Sequence, residues 1–196
     1  MSNRTLAALV LASTFAAAAP IALAQTHAAP IAAAQQPIAA EKNPPGDIPD
    51  NQAFVAYTSP LGFSIKVPEG WGRREGPAGV SFSDKYNALQ VVVSAQPAAP
   101  TLASLKAAQI TALAQSPKAI RIVSVKPVTL PAGPAFVANY GVNSDPNPVT
   151  NKAIRLDAAN YYVWKAGKLA TLTVSAPAGA DNADQWLLMA RSFTWR

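Results

Sequence analysis

Alternation of apolar and polar residues is the clearest pattern along the chain, and it begins near Phe54. Phe63, Ile65 and Val67 alternate with polar neighbours, which predicts a strand with one buried face. Other short stretches show similar strand patterns, and most are separated by turn residues. The predicted strands cover residues 54–57, 63–67, 80–83, 89–93, 120–126, 135–142, 154–164 and 169–175.

Two further stretches show the helical spacing of apolar residues. The first follows Thr101, a residue type that favours helix N-caps, and its apolar stripe predicts a helix that ends near Ser116. The second begins near Asp181, where the side chain of Asp181 or Asn182 is expected to accept hydrogen bonds from free amides. The predicted buried face of this second helix contains Trp186, Met189, Ala190 and Phe193.

The order of these elements predicts the fold class. Four strands, a helix, four strands and a second helix follow one another within residues 53–196. Since strands joined by short turns usually pair as neighbours, we expect a mostly antiparallel sheet with both helices packed on its apolar faces. The prediction is an α+β domain that is large enough to fold without a disulfide or a metal.

The first residues have the pattern of a secretory signal peptide. One basic residue, Arg4, precedes an apolar stretch without charges, and Ala22-Leu23-Ala24 forms a small-x-small cleavage site. Pro20 and the high alanine content argue against a membrane-spanning anchor. We expect residues 1–24 to be removed after Ala24. The mature protein is then expected in the periplasm or outside the cell, without an integral membrane anchor.

Residues 25–52 are rich in alanine, proline and glutamine. Such a segment buries too little apolar surface to offset the entropy lost on ordering, so we expect a flexible, disordered tether. The single histidine of the chain, His27, lies in this segment. The folded domain at 53–196 therefore has no histidine for general acid–base chemistry.

The composition and the motifs of the chain exclude several kinds of catalytic and metal-binding site. The 196 residues include no cysteine, which excludes disulfides, thiolate metal sites, a cysteine nucleophile and a lipidated cysteine. The domain has no Gly-x-Ser-x-Gly elbow, phosphate-binding loop or dinucleotide fingerprint. Its acidic residues have neither paired-carboxylate nor calcium-loop spacing. We predict that the protein is not an enzyme and uses no metal and no cofactor.

Charge and aromatic residues provide the candidates for binding. The chain has 16 basic and 10 acidic residues, and removal of residues 1–24 takes away only Arg4 from these. Trp71 closely precedes Arg73 and Arg74 in a predicted loop, so these three are the candidate binding residues. The alternative is a solvated surface that keeps the protein soluble. An anionic ligand is a further expectation, whereas nucleic acid is excluded because export is predicted and no recognition module is present.

Two segments resemble the PsbP-like superfamily. The stretch Phe63–Trp71 resembles its early strand and Pro-x-Gly-Trp turn, and the stretch from Leu172 through Trp186 to Phe193 resembles its closing strand and terminal helix. The resemblance implies an αβα sandwich with a non-catalytic binding or assembly role. It provides no catalytic residues.

Together these observations predict an exported, non-catalytic domain that contacts an unknown protein partner in the cell envelope. The alternative is a carrier of a small molecule or lipid, with an apolar cleft between sheet and helix. An enzyme that uses carboxylates alone ranks last, because the acidic residues do not form a recognisable pair.

Overall fold

The computed structural model of the protein describes residues 34–196. The predicted signal peptide, the first part of the predicted tether and His27 lie outside the described residues. The strands are β1 (Phe54–Ser59), β2 (Phe63–Pro68), β3 (Gly72–Gly76), β4 (Gly79–Ser83), β5 (Ala88–Ala95), β6 (Arg121–Leu130), β7 (Gly133–Asn143), β8 (Arg155–Lys165), β9 (Lys168–Pro177) and β10 (Thr194–Trp195). The helices are α1 (Leu102–Leu105), α2 (Thr111–Ala114) and α3 (Ala183–Ser192), with a π-helical segment at Lys106–Ile110 between α1 and α2.

The strands form two antiparallel sheets, which confirms the predicted α+β class. The larger sheet has the order β3-β4-β5-β9-β8-β7-β6, so β3 and β6 are its outer edges. The smaller sheet has the order β1-β2-β10. Helix α3 lies beside β2, where the amide of Lys66 donates to Ser192 Oγ at 2.8 Å. None of the helices in the described part of the chain has the length and apolarity that a membrane span requires.

Apolar side chains fill both faces of the larger sheet. The main core lies between this sheet and the layer formed by the smaller sheet and α3, and it includes the fully buried Phe63 and Phe193. A second cluster lies on the opposite face, where Leu105 of α1 packs with Tyr162 and Leu169. The sheet is therefore covered by helix on both sides, as in an αβα sandwich.

Local sequence signals explain several boundaries. Thr101 caps α1, and its side chain and that of Ser104 each accept a hydrogen bond from the other's backbone amide, as predicted for an N-cap. The turn between β8 and β9 has positive φ at Ala166 and Gly167, 47° and 81°, which suits a two-residue hairpin. These turn and cap residues set where the elements begin and end.

Two local predictions were wrong. The loop predicted after Trp71 is strand β3, which contains no apolar side chain and pairs through its backbone with β4. Asn182 occupies the N-cap of α3 but makes no capping hydrogen bond. Its amide group instead binds a distant part of the chain.

That distant part belongs to the segment predicted to be a tether. Ile48 is only 4 % exposed and belongs to the main core. Asn182 Oδ1 accepts a hydrogen bond from the amide of Ile48 at 2.6 Å. Asn182 Nδ2 donates to Gly46 O at 2.9 Å and to Asn87 Oδ1 at 3.0 Å. The end of the segment is therefore fastened to the start of α3.

A second buried asparagine holds the segment further upstream. Asn143 Nδ2 donates to Gln36 O at 2.8 Å, and its Oδ1 accepts from the amide of Ile38 at 3.1 Å. The same oxygen accepts from Arg155 Nη1 at 3.0 Å. The described part of the segment thus differs from a flexible tether. The buried side-chain amides of Asn143 and Asn182 give its backbone hydrogen-bond partners that the segment itself does not supply.

Candidate functional site

The three candidate binding residues lie at an outer edge of the larger sheet. Trp71 directly precedes β3 and packs, partly buried, against the main core. Arg73 and Arg74 lie within β3, whose residues are all exposed and which pairs with β4 on one side only. The structure therefore places the candidates on a strand edge instead of a loop. Such an edge leaves backbone groups available for pairing.

Arg73 contacts Tyr57 of β1, a strand of the smaller sheet. Its Nε lies 3.4 Å from Glu75 Oε1, and its guanidinium carbon lies 5.5 Å from the ring centroid of Tyr57. Tyr57 in turn donates its hydroxyl proton to Glu75 Oε1 at 3.1 Å. Burial is the largest cause that raises the pKa of Tyr57, so its phenol stays protonated in this network. The side chain of Arg73 remains more than half exposed.

Arg74 points to the other face of the sheet, because side chains alternate along a strand. It lines an open groove of about 330 Å³ together with Ser81 and Gln90, which are neighbours across β4 and β5. The structure thus places Arg73 on the same face as Trp71 and separates Arg74 from both. The two arginines therefore lie on opposite faces of the β3 edge.

An apolar groove lies along α3, between a helix and a sheet as the carrier alternative expects, but the sequence did not indicate which residues line it. It has a volume of about 760 Å³ and is bounded by α3, β1, β2 and the turn between β6 and β7. Leu187 and Leu188 remain 37 % and 42 % exposed there, beside Phe54. Lys66 and Arg191 also line the groove. The signal in the sequence was that Leu187 and Leu188 fall outside the predicted core stripe of this helix.

A buried polar network lies on the face of the larger sheet that α1 covers. Tyr140 donates its hydroxyl proton to Asn160 Oδ1 at 3.0 Å, and Asn160 Nδ2 donates to the hydroxyl of Tyr162 at 3.1 Å. Burial raises the pKa of Tyr140 to about 12 and also raises the pKa of Tyr162. Both phenols are therefore neutral near pH 7 and cannot act as bases there. The network satisfies buried polar atoms in the core.

The acidic side chains are dispersed in the described part of the chain. Within residues 34–196, no group of three or more acidic or histidine side chains is placed to hold a metal ion. Asp84 accepts from the amides of Tyr86 and Asn87, which makes it a turn residue. Asp145 forms an ion pair with Lys118 at 2.8 Å. These contacts account for the two carboxylates as structural groups.

Similarity to one solved structure supports the fold. No protein-family model matches the sequence, and no curated protein matches it. Among solved structures, the chain is similar to PsbP of the cyanobacterium Synechocystis sp. PCC 6803, with 17 % identity over 77 % of this chain and 98 % of that one and a TM-score of 0.50. The Ran-binding protein Mog1p of Saccharomyces cerevisiae matches with 12 % identity over 74 % of this chain and 96 % of its own, with a TM-score of 0.48. LpqN of Mycobacterium tuberculosis matches with 14 % identity over 74 % and 90 %, with a TM-score of 0.41.

At 17 % identity, the structural similarity to the cyanobacterial protein shows the fold alone. The match to the cyanobacterial protein extends over nearly its whole length. It agrees with the two segments, Phe63–Trp71 and Leu172–Phe193, that carry the resemblance in the sequence. The chain therefore has the PsbP-like fold.

Proposed function

We propose that this protein is an exported, non-catalytic binding domain that acts through contacts with a protein partner in the periplasm or at the cell surface. The contact surface in this proposal is the β3 edge with Trp71, Arg73 and Arg74. One observation carries the proposal: β3 is an outer edge strand whose five residues are all exposed. The N-terminal signal-peptide pattern supports export.

An exposed edge strand can bind an extended segment of another protein as an additional strand. Backbone hydrogen bonds then provide affinity, and side chains on alternate faces provide specificity. Arg73 and Arg74 place one guanidinium on each face, which suits a partner segment with acidic side chains on both sides. The half-buried Trp71 adds an aromatic surface at the start of the strand.

The test is crosslinking capture from the native envelope extract, read by mass spectrometry. The full chain is compared with Arg73→Glu/Arg74→Glu and with a matched control, Arg121→Glu/Lys126→Glu, which reverses two charges on the opposite sheet edge, β6. We expect one dominant, salt-sensitive partner that the β3 variant loses and the control retains. Equal capture by all three proteins, or equal loss in both variants, contradicts the proposal. Unchanged melting temperatures show that the variants are folded.

A carrier function is the second candidate, and the groove along α3 favours it. The groove has the size of a small-molecule site, and its apolar residues lie beside Lys66 and Arg191. A carrier is expected to retain a small molecule during purification from its native compartment. An organic extract of the denatured protein that contains no small molecule counts against this candidate, and it leaves the β3 proposal unaffected.

A further inference from the structure

A small basic cleft lies at the tip of the β8–β9 hairpin. Its volume is about 130 Å³, and it is lined by Lys165, Lys168, Trp195 and Arg196 together with Gly62 and Ala166. Three of these side chains are cationic, and no acidic side chain lines the cleft. Within residues 34–196, none of the three cations forms an ion pair. Three cationic side chains are therefore concentrated at this point.

The hairpin places its two lysines side by side on the backbone. Lys165 and Lys168 are directly opposite each other across the two-residue turn. The carbonyl of Gly167 accepts a hydrogen bond from the amide of Gln96 at 2.8 Å, and the carbonyl of Gln96 accepts from Trp164 Nε1 at 2.7 Å. The turn is thus anchored to the chain that follows β5. The backbone that carries both lysines is therefore held in place.

The opposing lysines are unfavourable for the isolated hairpin. Like charges at directly opposite strand positions repel each other and lower stability. A bound anion between them would convert this repulsion into attraction. An anion bound between the two lysines would therefore be attracted by both of them.

The third cation comes from a different element. The amide of Arg196 donates to Gly62 O at 2.9 Å, which holds the backbone of Arg196 beside the turn between β1 and β2. The ring of Trp195 packs edge-on against Phe193 with a centroid distance of 5.3 Å, so this wall of the cleft is also fixed. Charges from the hairpin and from the end of β10 converge on one small space.

We propose that this cleft binds a phosphate-class oxyanion. Two ammonium groups and one guanidinium are the side chains that proteins use for such groups, and the guanidinium can form two parallel hydrogen bonds. The cleft has a volume of about 130 Å³, which gives room for a single phosphate group. The site shares no residue with the β3 edge or the α3 groove, so it stands independently of the proposed function.

The first experiment uses inorganic phosphate with the full chain. Binding is followed by NMR shifts of the turn amides at residues 165–168 and of the Trp195 indole. The cleft variant is Lys165→Gln/Lys168→Gln, and the control is Lys106→Gln/Lys126→Gln, which removes the same charge from exposed positions. We expect at least a tenfold loss of phosphate affinity in the cleft variant and less than a twofold change in the control.

Thermal unfolding shows that the variants are folded and provides a second measurement. Phosphate should raise the melting temperature of the wild type, and this increase should be absent in the cleft variant. Without phosphate, the cleft variant should melt at the same temperature as the wild type or higher, because the repulsion between the lysines is gone. An equal phosphate-dependent increase in the wild type and in the cleft variant overturns the proposal.

Vesicles then distinguish the source of the phosphate group. Binding to phosphatidylglycerol vesicles, but not to phosphatidylcholine vesicles, with loss in the cleft variant assigns the site to an anionic lipid headgroup. Binding of inorganic phosphate without vesicle binding assigns it to a soluble phosphate compound. The absence of both, or equal losses in the cleft and control variants, overturns the proposal.

Discussion

Residues 34–52 and strand β3 are two stretches with little apolar character, yet the structure orders them in different ways. The upstream segment is held by side-chain amides from far along the chain, since Asn143 and Asn182 bind Ile38 and Ile48 across more than 100 residues. β3 is held by backbone pairing to its immediate neighbour β4, and its side chains remain in solvent. One stretch is fastened through buried contacts, whereas the other is an exposed edge.

The difference shows what a polar stretch needs in order to become part of a domain. Backbone amides lose water when they are covered, so each covered amide requires a partner. The upstream segment obtains its partners from two buried asparagines and also places Ile48 in the core. β3 keeps its outer side in water and requires no such partner. The first stretch should therefore be sensitive to mutation, whereas the second should be tolerant and available for binding.

The largest expected effect is at Ile48. Replacement by alanine removes a buried side chain from the main core and should lower the free energy of unfolding by about 3 kcal/mol. The control is Val55→Ala, at a site that is 44 % exposed, where a loss below about 1 kcal/mol is expected. Urea denaturation measures both. Equal, small losses would show that the segment is not part of the core in solution.

Asn182→Ala should have the next largest effect. It removes the partners of the Ile48 amide, the Gly46 carbonyl and the Asn87 side chain, and we expect a loss of about 2 kcal/mol. The exposed Asn51 provides the control, because Asn51→Ala removes a side-chain amide that has no buried hydrogen-bond partner. Losses in Asn182→Ala and Ile48→Ala should be less than additive, since both disturb one contact. Full additivity would contradict the coupling seen in the structure.

These contacts also show where prediction from the sequence ends. The alternation around Phe63 and the hairpin between Lys165 and Lys168 are local patterns, and the structure confirms both. Strand β3 was missed because an edge strand exposed on both faces needs no apolar side chain. The role of Asn182 was missed because an N-cap asparagine and one that binds a distant backbone have the same local sequence. The lining of the α3 groove could not be predicted from the sequence, because it depends on which apolar residues the fold leaves exposed.

Asn143→Ala should have a smaller effect, about 1 kcal/mol, because its partners are nearer to solvent and water can replace the lost bonds. Hydrogen exchange separates it from Asn182→Ala. We expect Asn143→Ala to accelerate exchange at the amide of Ile38 and Asn182→Ala to accelerate exchange at that of Ile48. If each variant accelerates both amides equally, the segment opens as one unit and the two asparagines do not act independently.

The smallest expected effects are in β3, and they separate its two arginines. Arg74→Ala should change the free energy of unfolding by less than about 0.5 kcal/mol, because its side chain makes no ion pair with a described residue. Arg73→Ala should cost about 0.5 kcal/mol through the lost contacts with Glu75 and the ring of Tyr57, and high salt should reduce that loss. Urea denaturation at low and high salt provides the measurement. A loss above about 1 kcal/mol for Arg74→Ala would mean that side-chain contacts hold β3, and the contrast with the upstream segment would then fail.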